Sequence, residues 1–375
     1  MEGCGRPQTH TKTVMGIKKL DRYIIGKFMS AFFVALGLLT VIVIIFDLSE
    51  KIDDFVAKQA PIKEIVVDYY LNFIPYFMNM YSPMVVFLTV ILFTSNMAKN
   101  TEIIAILSCG TSFHRMMVPY IISSILVALL SLGLGLWVIP KANVTRVAFE
   151  QKYNPRAKIK FGHDMHYKLE DNKYVYLESF SAWNNTAYNF TLEQVSEDHL
   201  VSKLSAESAQ WDSLSGKWKL RNWFMRQYGE GLQDQVKSGK QLDTTLSLTI
   251  DDFYYNEYTI ERLDIHQLNQ LIDTQKARGD ATVMTAQMEK HRRYSMPLSA
   301  IILTIIGVSL CSKKRRGGMG WNIAVGLALG FSYVLFEQFS KMFVVTDTLP
   351  AGIATWIPNI LYAVIAAILY IIAPK

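Results

Sequence analysis

Long uncharged apolar runs occur at six places along the chain. They are Phe28–Phe46, Tyr69–Met97, Met116–Pro140, Tyr294–Ser312, Gly317–Phe336 and Thr348–Pro374. A helix needs about 20 predominantly apolar residues to cross the hydrocarbon core of a bilayer. A soluble protein would have too little polar surface to cover six such runs. The pattern therefore predicts a membrane protein with six transmembrane helices.

A long polar segment separates the third run from the fourth. Lys173–Glu178 alternates polar and apolar residues, and Ser215–Leu220 places a turn before a second alternating run. Leu246–Ile250 alternates aliphatic and hydroxyl residues. Alternation with a period of two, with turn residues between the runs, is typical of antiparallel strands. The segment from about 145 to 262 is therefore predicted to form an antiparallel sheet or sandwich.

Helical spacing follows the predicted strands. Leu263–Ala277 places its leucines and isoleucine close to one face, and Gly279 is a typical helix end. A second helix, from about Thr282, is predicted to continue into the fourth apolar run. The predicted organisation is residues 1–15 as a disordered tail or misplaced start, 16–140 with three spans and a short helix near 100–110, 141–265 as an all-β domain, and 266–375 with a connecting helix and three spans.

Basic residues are concentrated in the loops on one side of the predicted membrane. They are Lys12, Lys18, Lys19, Arg22 and Lys27 before the first span, Lys99 and Arg115 after the second, Lys313–Arg316 after the fourth, and Lys375 at the end. Lysine and arginine are enriched in cytoplasmic loops. In the loop after the first span, lysines are accompanied by several acidic residues. This asymmetry predicts that the basic loops are cytoplasmic and that the inserted β domain is extracytoplasmic.

Composition and short motifs exclude several classes of function. The chain is 51% hydrophobic with a formal net charge of +6, and no basic tract with interleaved aromatic residues indicates nucleic-acid binding. Its three cysteines lack the spacing of metal ligands. The sequence contains no G-x-x-x-x-G-K-[ST], G-x-S-x-G or H-E-x-x-H motif. We therefore expect no catalytic residue, metal or cofactor in this chain, and any use of ATP would require a partner that hydrolyses it.

The loop between the second and third spans has an amphipathic pattern. Thr101 can cap a short helix, Ile103–Leu107 supplies an apolar face, and Gly110 can end the helix. A helix of this kind can lie on the membrane surface or dock into the groove of a partner protein. The residues alone leave both interpretations open.

Several polar or helix-bending residues within the spans also have two interpretations. Pro75 and Pro83 predict kinks in span two, which serve either simple packing or a flexible cavity wall. Glu337, near the outer end of span five, either pairs with Lys341 or takes part in a gate or a lipid contact. Four tyrosines of span two are predicted to anchor it at the membrane interface. They are Tyr69, Tyr70, Tyr76 and Tyr81.

Four stretches of the chain form an informative set when taken together. They are Leu20–Ile24; span two with Pro75 and Pro83, followed by Glu102-x-x-Ala105 and Gly110-x-Ser112-x-x-Arg115; Arg292-Arg293 with Pro297; and Lys313–Arg316 with Pro350 and Trp356-x-Pro358-Asn359. These stretches resemble the LptF/LptG family of lipopolysaccharide-export ABC permeases. Each stretch is short, but their order around the inserted domain is specific. The resemblance covers essentially everything from Met15 onward.

The resemblance implies the permease subunit of an ATP-driven exporter in the bacterial inner membrane. Two copies of a cytosolic ABC ATPase would drive it, and a second LptF/LptG-type permease would pair with it. Its extracytoplasmic domain would be a β-jellyroll in the periplasm that passes lipopolysaccharide to LptC/LptA-type β-jellyroll proteins. The short helix would dock into the ATPase. The residues implied in this coupling are Glu102, Ala105, Gly110 and Arg115.

The resemblance also implies a lipid cavity between the two permeases. We expect Phe331 and Phe336 to contribute to its apolar wall, and basic residues at the outer rim to contact phosphates. The expected basic residues are Lys51, Lys58, Lys141 and Arg292. Some LptG-type members carry a lysine just inside the outer end of span one, and Lys51 is only an approximate substitute for it.

Two other classes of function remain compatible with the residues. A permease for another lipid, a lipoprotein or a peptide would have similar coupling but would lack the match at Trp356–Asn359. A membrane scaffold or sensor without transport would need no ATPase. Co-purification of an ATPase would separate the scaffold from both kinds of permease.

Overall fold

The computed structural model describes most of the chain. The described residues are 19–153, 162–169, 172–181, 184–196, 199–213, 215–229, 234–248, 260–280, 282–312, 318–346 and 348–373. The predictions for residues 1–15, for Ile250 and for Lys313–Arg316 lie outside the described residues.

The described residues include eight helices. They are α1 (Lys19–Ala57), α2 (Ile62–Lys99), α3 (Glu102–Ser108), α4 (Phe113–Tyr153), α5 (Ile265–Arg278), α6 (Val283–Cys311), α7 (Gly318–Val345) and α8 (Ala351–Ile372). All except α3 and α5 are long and apolar enough to cross a membrane, which confirms the prediction of six spans. Short π-helical segments interrupt α2 at Ile65–Tyr70 and α4 at Leu134–Val138.

Helix α1 shows how the apolar pattern divides between two surfaces. Ile24, Phe28, Phe32 and Leu36 recur every four residues and are buried against the other helices. The remaining apolar side chains of α1, such as Phe46, are exposed. A helix that is apolar on all sides is expected where one face packs in protein and the rest contacts lipid or another membrane protein.

Glycines allow α6 and α7 to approach α2 closely. A Cβ added at Gly307 of α6 would lie 2.7 Å from the Val90 side chain of α2. A Cβ added at Gly330 of α7 would lie 3.0 Å from Phe87. Helices in membranes commonly pack through such small residues, because dispersion contacts replace the hydrophobic driving force available in water.

Helix α4 is longer than the sequence pattern indicates. Residues 145–153 were predicted as strand, but Ile139–Tyr153 is helical and Pro140 does not end the helix. The π-helical segment Leu134–Val138 ends just before Pro140 and already lacks the regular α-helical hydrogen bonds that a proline would interrupt. Phe149 and Tyr153 then pack in an aromatic cluster with Phe55 and Tyr69. These contacts stabilise the additional helical turns.

Six strands form one antiparallel sheet inserted between α4 and α5. They are β1 (Gly162–Leu169), β2 (Lys173–Ser181), β3 (Thr186–Ser196), β4 (His199–Asp212), β5 (Lys217–Gln227) and β6 (Gln235–Thr244). Each strand pairs with its neighbour in the chain, so the sheet is an up-and-down meander in the described residues. The inserted antiparallel β domain is therefore confirmed.

One face of the sheet carries the apolar core of the inserted domain. Val175, Leu177, Trp218 and Leu220 are at most 1% exposed. The alternate position Tyr174 lies on the opposite, exposed face, as the period of two requires. Residues 245–248 were predicted as strand but follow β6 as irregular chain. Leu248 nevertheless closes the core, and its carbonyl accepts a hydrogen bond of 2.8 Å from Trp218 Nε1.

Helix α5 begins and ends close to the predicted positions. Asp264 and Gln267 form a reciprocal capping box at its start. Gly279 ends it in the left-handed conformation, with φ of 65°, as predicted. The helix packs its apolar face on Ile260 and on Ala286 at the start of α6.

Candidate functional site

The short helix α3 lies at the end of the helix bundle opposite to the sheet. It connects α2 to α4, and α4 runs from α3 to the sheet. Ile103 is 1% exposed and packs in the bundle core, whereas Ile104 and Ala105 are exposed and Glu102 is half-buried. Gly110, with φ of 81°, turns the chain toward α4. The helix is therefore anchored on one side and presents the other side outward.

Arg115 lies in the first turn of α4 and contacts the first turn of α1. Its two terminal guanidinium nitrogens donate hydrogen bonds of 2.7 Å and 2.6 Å to the two carboxylate oxygens of Asp21. Asp21 is 3% exposed. Bidentate contacts of this kind are strong and geometrically specific. Arg115 therefore connects α4 to α1 directly beside α3.

Lys51 lies in a polar network near the sheet end of α1. Its Nζ is 3.0 Å from Asp47 and 3.3 Å from Glu150 of α4, and it also donates to the Tyr69 hydroxyl. Tyr69 in turn donates to the Asp47 carboxylate. Two carboxylates thus compensate the charge of Lys51 within this chain. Tyr69 was predicted as an interface anchor, but it is fully buried in this network and in the adjacent aromatic cluster.

The other predicted substrate residues do not form a single site in this chain. Lys58, after α1, and Lys141, in α4, are exposed. Phe331 and Phe336 of α7 are 56% and 44% exposed. They face away from the cleft described next, on a surface that lipid or another subunit can contact.

A cleft of about 90 Å³ lies between α2, α6 and α7. Its lining is largely apolar, from Met84 and Phe87 of α2 to Leu303 of α6. Arg292, Glu337 and Lys341 line the same cleft and add charged groups. An apolar space with more cationic than anionic side chains suits part of an amphipathic anion, whose chain contacts the apolar wall and whose charge contacts a basic residue.

Arg292 also belongs to a buried cluster of charges. It contacts Glu289 of α6 at 2.8 Å and Glu261 at 3.3 Å, and Arg293 contacts Glu289 at 3.0 Å. Arg146 of α4 lies 3.6 Å from Glu261. Burial raises the pKa of the Glu261 carboxyl, the Glu289 carboxylate raises it further, and the two nearby arginines oppose this rise. The cluster therefore depends on the pairing of opposite charges.

Sequence reasoning identified Arg292 and Arg293 but missed the rest of this cluster. Glu289 stands three and four residues before the two arginines on one helix, a spacing that places the three side chains together. That signal was available in the sequence. Glu261 and Arg146 lie far away in the chain, and no local pattern connects them to α6.

Within the part of the chain that the structure describes, no group of three or more histidine, cysteine, aspartate or glutamate side chains is arranged to hold a metal ion.

No curated protein matches the chain by sequence comparison. The sequence model of the family described as "Lipopolysaccharide export system permease LptF/LptG" matches residues 22–372. The match spans all six helices that can cross a membrane and the inserted sheet. The chain therefore belongs to the LptF/LptG family of lipopolysaccharide export permeases.

Proposed function

We propose that this chain is the permease subunit of an ABC transporter that extracts lipopolysaccharide from the bacterial inner membrane. Membership of the LptF/LptG family supports lipopolysaccharide as the transported lipid. The observation that carries the ATP-driven mechanism is α3, a short helix anchored by Ile103 with an exposed outer side between two spans. An exposed helix held on a bundle is suited to docking into a groove of a second protein.

The energy in this proposal comes from a separate subunit. The sequence has no Walker A motif, so two copies of a cytosolic ABC ATPase would hydrolyse ATP and this chain would contribute no catalytic residue. Glu102, Ala105 and Gly110 would lie at the contact with the ATPase. Arg115 would hold α4 to α1 beside that contact, so that movement of α3 reaches both helices.

The cargo would leave the membrane at the sheet end of the bundle. A second LptF/LptG-type permease would contact the exposed apolar faces of α1 and α7, where Phe331 and Phe336 would face the shared cavity. Lys341 in the cleft, with the exposed Lys58 and Lys141, would provide the positive charge for lipid phosphates. Two carboxylates compensate Lys51, and two compensate Arg292, so we assign both residues a structural role.

The inserted domain, whose described strands run from Gly162 to Thr244, would lie in the periplasm. There it would pass lipopolysaccharide to LptC/LptA-type β-jellyroll proteins. Its first and last strands in the described sheet, β1 and β6, each pair on one side only within that sheet. An edge strand can pair with a strand of a neighbouring protein, which would extend the sheet across the complex.

A charge reversal in α3 tests this function. We expect Glu102→Lys to leave the protein inserted in the membrane but to weaken binding of the ATPase and to abolish export. Reversing a charge at a docked contact costs about 2–5 kcal/mol, which corresponds to at least a tenfold loss of affinity. The measurements are co-purification of the ATPase in mild detergent and lipid extraction from proteoliposomes.

The matched control is Glu207→Lys, the same reversal at an exposed position of β4. It is expected to leave ATPase binding unchanged. Normal ATPase binding and export in the Glu102→Lys variant would contradict the docking role of α3. A wild-type protein that purifies without any ATPase would contradict the transporter assignment and would favour a scaffold or sensor.

A further inference from the structure

The two spans that flank α3 are α2 and α4, and both contact Glu261 at the other end of the bundle. Tyr76 of α2 donates a hydrogen bond of 2.9 Å to Glu261 Oε1. Arg146 of α4 lies 3.6 Å from Glu261 Oε2, and Asn143 of α4 donates to the Glu261 backbone carbonyl at 3.4 Å. Glu261 stands in the described segment between the sheet and α5. Helices α2 and α4 therefore both contact the chain that leaves the inserted domain.

Helix α6 contacts the same segment from a third direction. Arg292 lies 3.3 Å from Glu261 Oε1. Arg293 donates to the backbone carbonyls of Leu263 at 2.8 Å and Ile260 at 3.5 Å. Helix α6 therefore contacts both the Glu261 carboxylate and the main-chain carbonyls of Ile260 and Leu263. These contacts fix the position of the backbone as well as that of the carboxylate.

Burial makes these contacts difficult to exchange for water. The exposed fractions are 4% for the Arg146 side chain and 14% for the Glu261 side chain. Removing one partner from a buried ion pair leaves an uncompensated charge in a poorly solvated place. Ile260 is also buried against α5. The segment Ile260–Leu263 is therefore expected to move together with α2, α4 and α6 rather than independently of them.

We propose that Glu261 is a positioning residue that transmits movement of α2 and α4 to the inserted β domain. This inference rests on the proposed function, in which the ATPase acts on α3. Because α3 is the direct connection between α2 and α4, its displacement reaches Glu261 through both helices. The ion and hydrogen-bond contacts of Glu261 then couple the nucleotide state at one end of the bundle to the position of the sheet at the other.

The test measures movement and transport separately. Spin labels are placed at Ser215, in the turn between β4 and β5, and at Val56, an exposed position near the end of α1, of the full complex in nanodiscs, with the native cysteines replaced by serine. In the complex with intact Glu261, the distribution of distances between the two spin labels is expected to shift between the nucleotide-free and the ATP-trapped state. In the Glu261→Gln variant, ATP hydrolysis is expected to persist, the shift to be lost, and the lipid extracted per ATP hydrolysed to fall about tenfold.

Two further variants separate a transmitting role from a purely structural one. Tyr76→Phe removes the hydrogen bond from α2 but keeps the aromatic ring, and it is expected to reduce the shift without lowering the thermal midpoint appreciably. Glu193→Gln removes an exposed ion pair with Lys203 on the sheet and is expected to change neither the shift nor the transport ratio.

Three outcomes would overturn the inference. They are a full nucleotide-dependent shift in Glu261→Gln, an unchanged shift in Tyr76→Phe, and the absence of any shift in the complex with intact Glu261. Failure of the proposed function looks different, because the ATPase would then not bind the unaltered chain or would bind the Glu102→Lys variant normally.

Discussion

At the scale of single residues, Arg115 and Asp21 show how an acidic group is stabilised inside the bundle. Asp21 is almost fully buried and accepts two charge-assisted hydrogen bonds from one guanidinium. The planar guanidinium presents two N–H groups in the same direction, whereas a lysine ammonium is a point charge on a flexible stem. The pair therefore fixes both the distance and the angle between the first turns of α1 and α4.

Replacement of Arg115 by lysine tests this geometry. We expect Arg115→Lys to retain the charge but to lose one of the two hydrogen bonds to Asp21. The expected loss of stability is about 1.5–3 kcal/mol, the usual range for a hydrogen bond to a charged group. Thermal unfolding in detergent measures it. Arg22→Lys, at an exposed position beside Asp21, is the control. Equal midpoints for the two variants would contradict a bidentate contribution.

The sequence identified both residues of this pair but not the pair itself. Asp21 and Arg115 each stand in a stretch that resembles the permease family, and they are 94 residues apart. Local patterns report the period of one helix and carry no information on which distant residue faces it. The same limit explains why Arg292 was found while Glu261 and Arg146, its neighbours in space, were not.

At the scale of elements, the stretch Trp356–Asn359 joins three helices. Pro358 has no N–H, so the Ala354 carbonyl one turn earlier loses its donor within α8. The Ser340 hydroxyl of α7 donates to that carbonyl instead. Asn359 donates to the Ser295 carbonyl of α6 at 2.7 Å, and Tyr333 of α7 donates to Asn359 at 3.0 Å. This short motif therefore holds α6, α7 and α8 together through polar contacts.

A double-mutant cycle measures the interaction free energy between Tyr333 and Asn359. Asn359→Leu is expected to destabilise the protein by about 1–3 kcal/mol, since it leaves the buried Tyr333 hydroxyl without its acceptor. Tyr333→Phe removes that hydroxyl. The double variant is therefore expected to lose less stability than the sum of the two single variants, as determined from unfolding midpoints. Strict additivity would show that the two side chains do not interact.

The elements were predictable where one physical cause dominates. Burial and lipid contact both select apolar residues, so the six spans are visible in the sequence. Alternation indicated the sheet because its two faces differ in exposure. The final turns of α4 were misassigned, because Lys141, Glu150 and Lys152 make this part polar. Their helical state depends on the contacts of Phe149 and Tyr153 with distant aromatic residues, which no local pattern contains.

At the scale of the whole molecule, helix α3 and the inserted sheet lie at opposite ends of the membrane-spanning helices, separated by the length of a span. Helix α4 has α3 at its start and leads to the sheet at its end. Lys99 and Arg115 flank α3, and lysine and arginine near spans are enriched on the cytoplasmic side. This arrangement predicts that α3 faces the cytoplasm and that the sheet lies on the opposite side of the membrane.

Cysteine labelling with a membrane-impermeant maleimide tests this orientation within a single molecule. Cys109, directly after α3, is exposed and serves as the native cytoplasmic probe. A cysteine introduced by Ser215→Cys, in the turn between β4 and β5, serves as the extracytoplasmic probe, in a chain that also carries Cys4→Ser; Cys311 is buried and is not expected to react. In intact spheroplasts we expect the reagent to label position 215 and not Cys109, and after lysis to label both. Labelling of Cys109 before lysis, with position 215 protected, would invert the topology and remove the basis for an ATPase contact at α3. Labelling of both positions before lysis would reveal leaky membranes, which a cytosolic thiol protein included as a marker would also report.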